Sequence, residues 1–191
     1  LFIARLGPIA SGAHQIAANL AVLCFMLPTS VGYAAGVLSA QAIGARNFAE
    51  ARRVGFRGFR LGLGCAAATA ALLATTHGAL ARFYTPDVQV QALAASLILL
   101  VAVYHLTDGL QTVAVNLLRG YKRATVPMAI YAVALWGIGL PTGIALGLGD
   151  GLGPALGPQG FWISASGALT LAGVLVTAYW WYVSKADSRM A

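Results

Sequence analysis

One acidic residue, Asp108, lies inside a long apolar segment of the sequence, where a charge is unfavourable. It stands eleven residues before Arg119, the basic residue at the end of that segment, and eleven helical residues span about 16 Å. Because the hydrocarbon core of a bilayer is about 30 Å thick, a helix would hold Asp108 near the midplane. A charged side chain there costs at least about 2.5–3.5 kcal/mol, so we expect Asp108 to face the bundle interior or water.

Three further polar side chains share the helical face of Asp108. Tyr104 lies four residues earlier, and Gln111 and Thr112 lie three and four residues later, spacings that make side chains neighbours on a helix. Four oxygen-bearing groups in one stripe could coordinate Na⁺ in part, because hard cations prefer oxygen ligands, or tune a proton-binding carboxylate. The alternative is a buried aspartate, neutral or hydrogen-bonded, that fixes how the helices pack.

Two more polar residues lie close to this stripe. His105 is three residues before Asp108 and could hydrogen-bond the carboxylate or relay a proton, although a lone histidine in a helix is more often a packing residue. Asn116 is eight residues after Asp108, on the same face but nearer the cytoplasm. It is a candidate for lining a cavity, and an interhelical hydrogen bond explains it equally well.

The other residues with reactive or ligating side chains form no second site. Cys24 and Cys65 lie in separate apolar segments and are interpreted as small buried hydrophobes. The three histidines lack metal-ligand spacing, and His14-Gln15 is interpreted as a polar pair that packs against a neighbouring helix. The sequence contains neither a Ser/His/Asp or Cys/His set nor a neighbouring pair of carboxylates that would indicate an enzyme site. We therefore expect a non-enzyme without a cofactor, in which Na⁺ at Asp108 is the only metal ion considered.

The composition predicts that these residues are held by membrane-spanning helices. The chain is 59% hydrophobic and 9% charged, whereas soluble domains have about 45–50% apolar and about 25% charged residues. Its long uncharged stretches are sufficient for helices of about 20 apolar residues each. We predict an all-α bundle over residues 1–191, a single transmembrane domain of about five full spans plus the end of a sixth. The predicted spans are 14–44, 54–76, 88–118, 126–148 and 161–183.

The connections between the spans are predicted from polar and helix-breaking residues. A polar turn is expected around Arg46, Asn47 and Glu50, and outer loops at 80–87 and 147–160. Asp87 is expected to cap the third span, whose 31 residues would extend about 46 Å and must either tilt or contain a separate outer turn. Pro28 is expected to bend the first span. Aromatic residues near predicted span ends are expected at the membrane interface: Tyr84, Phe161, Trp162, Trp180, Trp181 and Tyr182.

The basic residues predict the orientation of the bundle. The net charge is +7, and the basic residues cluster between apolar segments, with an even number of spans between clusters. This positive-inside pattern places the clusters and the C-terminus in the cytoplasm, with two exceptions, Arg5 and Arg82, each alone at a predicted outer end. No aromatic residues interleave with basic ones on a polar face, so nucleic acid is not an expected partner. The clusters are Arg46–Arg60, Arg119–Arg123 and Lys185 with Arg189.

Several segments, in order and with similar spacing, resemble the multidrug and toxic compound extrusion (MATE) family. The segments that resemble the eighth helix of that family and the loop after it are Gly12–Ala17, Phe25–Pro28, Gly44–Arg46 and Ala51-Arg52. Those that resemble the tenth helix and its exit are Asp108–Gln111, Leu118–Tyr121 and Pro127. Those that resemble the eleventh helix and the start of the twelfth are Trp136-Gly137, Gly139–Pro141 and Gly160–Ile163.

The resemblance implies a twelve-helix antiporter of two six-helix lobes that expels organic cations in exchange for Na⁺ or H⁺. This chain would be most of the second lobe, with Leu1–Arg5 the end of the seventh helix. In NorM-type members the cation site includes an aspartate and a tyrosine that match Asp108 and Tyr104, together with a seventh-helix glutamate that would precede Leu1. Because the sequence opens on Leu1 within an apolar segment and has no internal repeat, we expect a fragment that does not transport alone.

Three functions are carried forward from the sequence. The first is cation-coupled multidrug efflux across a bacterial inner membrane, with the lipid bilayer, the other lobe and small organic cations as partners. The second is a lipid-linked oligosaccharide flippase of the related superfamily, which is disfavoured because no predicted span interior contains the basic residues that a pyrophosphate needs. The third is a non-transporting membrane scaffold, which would tolerate loss of the Asp108 carboxylate. The transported compound and the choice between Na⁺ and H⁺ are left open.

Overall fold

The predicted all-α membrane fold is confirmed. A computed structural model describes residues 2–149 and 153–187, and within them it contains helices, no strands, and five helical spans long and apolar enough to cross a membrane. A short 3-10 turn, Ile3–Leu6, stands where the end of a further helix is predicted, and Gly7, with φ of 92°, separates it from α1. The elements that follow are α1 (Pro8–Gly44), α2 (Phe48–Tyr84), α3 (Val88–Gly120), α4 (Thr125–Tyr131), a π-helical segment (Ala132–Gly139), α5 (Leu140–Leu148) and α6 (Pro158–Asp187).

The turn between α1 and α2 is shorter than predicted. Helix α2 begins at Phe48 rather than at residue 54, because the Asn47 side chain accepts a hydrogen bond of 3.0 Å from the backbone N–H of Glu50. Such a cap satisfies a backbone donor that the first helical turn leaves unpaired. The predicted polar turn is confirmed at Arg46 and Asn47, whereas Glu50 lies in the first turn of α2. Helix α1 also starts earlier than predicted, with Pro8 in its first turn, and it continues through Pro28.

The connection between α2 and α3 is also shorter than predicted. The outer loop expected at 80–87 is wrong in its first half, because α2 continues to Tyr84 and buries Ala81 at 1% exposure. The predicted cap on α3 is confirmed, since Asp87 Oδ1 accepts hydrogen bonds from the N–H groups of Gln89 (2.8 Å) and Val90 (3.2 Å). Helix α3 is continuous, so the alternative of a separate outer turn is wrong.

The fourth span changes its helical form midway. Helix α4, the π-helical segment and α5 together run over Thr125–Leu148, and α5 begins with Leu140 and Pro141. Proline has no N–H to donate to the preceding turn. This missing hydrogen bond is a physical reason for the wider, π-helical turns of Ala132–Gly139 just before Pro141. The Ser164 hydroxyl of α6 donates a hydrogen bond of 2.6 Å to the Gly139 carbonyl. The span is therefore fixed to α6 at the point where its helix changes.

Helix α3 is the centre of the bundle. It packs against α1, α2 and α6, while α5 and the π-helical segment pack mainly on α6. Two apolar clusters lie along it. The first apolar cluster contains Leu97, Ile98 and Val101 of α3, and the second contains Val113 and Leu117. Many large apolar side chains on the other helices point outward and are exposed, as expected for a surface in contact with lipid.

Close contacts between these helices depend on glycine. A Cβ atom added at Gly36 of α1 would lie 2.6 Å from the Asn116 carbonyl oxygen of α3, and one added at Gly109 would lie 2.7 Å from the Cβ of Ala66 in α2. Small residues at such positions let helix backbones approach closely in a membrane. Helix α3 thus approaches both neighbours closely in the second half of its length.

Replacing Gly36 by alanine is expected to lower the free energy of unfolding by about 1–3 kcal/mol, because the new methyl group meets backbone that cannot rotate away. The measurement is the melting temperature of the complete polypeptide in detergent. Gly44→Ala is the matched control, since Gly44 ends the same helix and an added Cβ would meet nothing within 4 Å. Equal melting temperatures for the two variants would contradict this account of the helix contact.

Candidate functional site

The carboxylate of Asp108 is buried in the middle of the bundle. Its residue is 4% exposed, and it lies in α3 between the residues of the first and second apolar clusters. Gln111 Nε2 donates a hydrogen bond of 2.7 Å to Asp108 Oδ1. The prediction that Asp108 faces the interior rather than lipid is therefore confirmed, and one hydrogen bond partly satisfies its carboxylate.

The polar stripe around Asp108 is connected through Gln111. The same Nε2 group lies 3.3 Å from Thr112 Oγ1, so one amide bridges two of the predicted oxygen ligands. Tyr104 is half-buried and, within the described residues, forms no hydrogen bond to Asp108. Its ring stands edge-on to Trp162 of α6, with centroids 5.8 Å apart and an interplanar angle of 87°. The structure thus joins Asp108, Gln111 and Thr112 directly, while Tyr104 forms the border with an adjoining cavity.

His105 does not join this group. Its residue is 1% exposed, and both ring nitrogens are buried without a hydrogen-bond partner among the described residues. The hydrogen bond to Asp108 that the sequence suggested is absent, because residues three apart on a helix can still turn their side chains to different neighbours. The structure favours the packing interpretation of His105.

Asn116 extends the polar stripe toward the end of α3. Its Nδ2 group donates a hydrogen bond of 2.9 Å to the Thr112 carbonyl, and its Oδ1 accepts one of 3.3 Å from Arg119 Nη1. These residues border a cavity of about 310 Å³, here called the polar cavity. Its polar lining comprises Thr29, Tyr33, Gln111, Thr112, Asn116, Arg119 and Tyr131.

Four polar lining residues of the polar cavity were not predicted from the sequence: Thr29, Tyr33, Arg119 and Tyr131. The hydroxyl groups of Thr29 and Tyr131 are buried and have no hydrogen-bond partner among the described residues. Buried hydroxyls are normally paired with protein or water, so both groups could pair with water or an ion in the cavity. Thr29 is in α1 and Tyr131 ends α4, so no sequence spacing relates them to Asp108.

A second cavity, of about 380 Å³, is bordered by Tyr104. We call it the aromatic cavity, and it is lined by His14, Tyr104, Phe161 and Trp162 together with apolar residues. Trp162 is 9% exposed, and its ring also contacts His14 at 5.8 Å between centroids. Trp162 lies near the start of α6, as the sequence predicts, but its ring faces the bundle interior.

Trp180 differs from its prediction in the same way. It is 1% exposed and its ring packs edge-on against Phe56 and Phe59 of α2, with centroids 5.4 and 4.9 Å apart. Trp181 next to it is 48% exposed. Adjacent aromatic residues on a helix point in different directions, so only one of the two can face lipid.

The fold and this site define a class of protein: a polytopic membrane protein with an ionisable side chain buried near the middle of its bundle. Such residues characteristically mark ion or substrate pathways. Comparison with known proteins is more specific. Residues 1–145 match the MatE family, and the chain belongs to that family, as the resemblance predicted.

Relatives of known name agree with this assignment. The chain is 40% identical over 176 residues to "Probable multidrug resistance protein NorM" of Xanthomonas axonopodis pv. citri, covering 92% of this chain and 38% of that protein. It is 33% identical over 190 residues to "Multidrug resistance protein NorM" of Aliivibrio fischeri, covering 100% of this chain and 41% of that protein. The chain thus spans about two-fifths of the length of these relatives.

A solved structure has the same fold. The structure titled "Crystal structure of eukaryotic MATE transporter AtDTX14" superposes with a TM-score of 0.84 at 18% sequence identity, over 95% of this chain and 41% of that chain. The similarity is therefore one of helix arrangement.

Proposed function

We propose that this chain forms most of the second six-helix lobe of a multidrug efflux transporter that exchanges organic cations for Na⁺ or H⁺. The observation that carries the proposal is the burial of Asp108 within a polar stripe between two apolar clusters. The multidrug resistance proteins among the relatives support the direction and breadth of transport. A complete transporter would add the other lobe, and its membrane would be the bacterial inner membrane with the end of α6 in the cytoplasm.

The coupling step takes place at the Asp108–Gln111 pair. In the structure the Gln111 amide donates to the carboxylate, so the carboxylate acts as acceptor only. When a proton or Na⁺ binds, rotation of the amide by about 180° would present its oxygen instead. Thr112 Oγ1 is close enough to share in that exchange. Neutralising Asp108 would therefore rearrange contacts in α3, and a ligand that does so favours one conformation of the lobe over another.

The aromatic cavity is the proposed contact for the transported compound. It is walled by Tyr104, Phe161 and Trp162 and is mostly apolar, which suits a flat organic cation held by ring faces rather than by fixed ion pairs. Tyr104 lines this cavity and precedes Asp108 by four residues in α3. Ion and substrate would thus act on adjacent turns of one helix, a short path for coupling in an alternating-access cycle.

Transport by the complete polypeptide in proteoliposomes tests the proposal. Ethidium is the probe cation, and its movement is followed under an imposed Na⁺ gradient at uniform pH, then under a pH gradient without Na⁺. We expect one of the gradients to drive ethidium in the opposite direction, and an ionophore that collapses the gradient to stop it. Folded protein that moves ethidium under neither gradient would refute the proposed function.

A further inference from the structure

The end of the bundle where α2 begins carries an arginine that the transport proposal does not use. Arg52 is half-buried, and its guanidinium lies 5.5 Å from the ring centroid of Phe56 and 5.0 Å from that of Trp181. Cation–π contact with two rings holds the flat guanidinium in one place. Its Nε atom is buried and has no hydrogen-bond partner among the described residues. Arg52 is thus a positioned donor that is not fully satisfied.

No carboxylate in the described part of the chain pairs with Arg52. The carboxylate nearest in sequence, that of Glu50, forms ion pairs with Arg53 (3.4 Å) and Arg57 (3.2 Å). Asp187, at the end of α6, forms no ion pair with Arg52 in the residues described. Basic side chains greatly outnumber acidic ones at this end of the bundle. An anionic partner for Arg52 is therefore expected from outside this part of the chain.

A recess beside Arg52 has room for such a partner. It measures about 290 Å³ and is lined by Ala49, Arg52, Arg53 and Phe56. Phe56 is 37% exposed and the neighbouring Trp181 is 48% exposed, so the recess opens beside apolar surface. We propose that it binds the phosphate headgroup of an anionic phospholipid whose acyl chains lie along Phe56 and Trp181.

A phospholipid of the bilayer fits both the arginine side chains of this recess and the exposed aromatic surface beside it. Guanidinium groups bind phosphate oxygens through two parallel hydrogen bonds, and exposed aromatic side chains at a span end favour contact with lipid. A soluble phosphate would use the arginines and leave the aromatic surface without a partner. Orientation in the membrane needs only basic residues near the span ends, so it does not account for Arg52 being held against two rings.

Lipid retention by the complete polypeptide tests the proposal. Native mass spectrometry measures the affinity for phosphatidylglycerol, which is anionic, and for phosphatidylethanolamine, which is zwitterionic. One arginine near the surface contributes about fivefold to anionic-lipid binding. We therefore expect Arg52→Gln to weaken phosphatidylglycerol binding about fivefold and to leave phosphatidylethanolamine binding unchanged. Arg82→Gln is the matched control, because it removes an exposed arginine from the opposite end of α2 and should have no effect.

Three outcomes would overturn the lipid site. These are unchanged phosphatidylglycerol affinity in Arg52→Gln, an equal loss in Arg52→Gln and Arg82→Gln, and displacement of the lipid by millimolar inorganic phosphate. If Arg52→Gln does not purify as a monodisperse protein, Arg53→Gln replaces it. Arg53 lines the same recess with a side chain that is 70% exposed, and the same selective loss is expected.

Discussion

Asp108→Asn is expected to abolish ion-driven transport of ethidium by the complete polypeptide in proteoliposomes, reducing it to the level of empty liposomes, while the protein still folds. Asparagine keeps the side-chain size and an oxygen that can accept the 2.7 Å hydrogen bond from Gln111, so the packing of α3 is preserved. It carries no charge, binds no proton and is a poor Na⁺ ligand by comparison. A ligand that binds two conformations equally shifts neither, so the gradient can no longer drive the cycle.

Asp87→Asn is the matched control for this experiment. It makes the same chemical change on the same helix, but Asp87 is exposed and caps α3 through two backbone N–H groups, a role that asparagine also fills. Its transport rate should equal that of the unaltered protein. Stabilisation by Na⁺ or by low pH, measured as a melting temperature, should persist in Asp87→Asn and disappear in Asp108→Asn. Normal transport by Asp108→Asn would instead support the packing role for the buried aspartate.

Local spacing was enough to predict the part of the site that lies on one helix. The position of Asp108 within the apolar segment predicted that it lies in the middle of a span. The three-residue interval to Gln111 predicted that the two side chains are neighbours, and the structure joins them by a hydrogen bond of 2.7 Å. Both predictions depend only on helix geometry. The side-chain direction of His105 depends on which neighbouring helices surround it, and the same spacing rule failed there. The roles of Asp108 and Tyr104 in binding a cation stay predictions.

The cavities could not be predicted, because they form between helices that are far apart in sequence. The aromatic cavity brings His14 of α1 and Tyr104 of α3 to Trp162 of α6, and no periodic pattern relates three such positions. Burial of Trp162 was missed for a related reason. Its distance from the predicted end of a span suggested the interface, but α6 starts three residues earlier than predicted. Trp162 therefore lies beyond the first turn of α6, where neighbouring helices decide which way its ring faces.

The errors at helix ends share one cause. Polar residues were interpreted as loops, whereas Asn47 and Glu50 form the cap and first turn of α2, and Arg82 lies in its last turn. At the start of α2 the Asn47 side chain accepts a hydrogen bond from a backbone N–H that the first turn leaves unpaired. Near the end of α2 the small residue Ala81 is buried within the bundle. Hydropathy measures which residues can enter lipid, and these helices extend beyond that length. Arg52 consequently belongs to a helix, which is what holds it against Phe56 and Trp181.

Trp162→Leu is expected to raise the apparent KM for ethidium about tenfold to thirtyfold without changing which ion drives transport. Trp162 supplies the ring that stands edge-on to Tyr104 and contacts His14 in the aromatic cavity. A desolvated cation–π contact contributes about 2 kcal/mol, and leucine has no ring face to replace it. Trp162→Leu leaves the proposed coupling groups, Asp108 and Gln111, unchanged, so the maximal rate at saturating ethidium should fall much less than the affinity for ethidium.

Two variants separate loss of the ring from loss of packing. Trp162→Phe keeps an aromatic face beside Tyr104 and should hold the KM within about threefold, since phenylalanine is a weaker cation–π partner than tryptophan. Trp136→Leu makes the same replacement at a residue that is 74% exposed and lines neither cavity, so its KM should not change. If Trp162→Leu and Trp136→Leu give the same KM, the aromatic cavity does not bind the transported cation. A rise in KM confined to Trp162→Leu, with Trp162→Phe restoring it, would place the organic cation one helical turn from Asp108, where its binding and that of the driving ion compete for the conformation of α3.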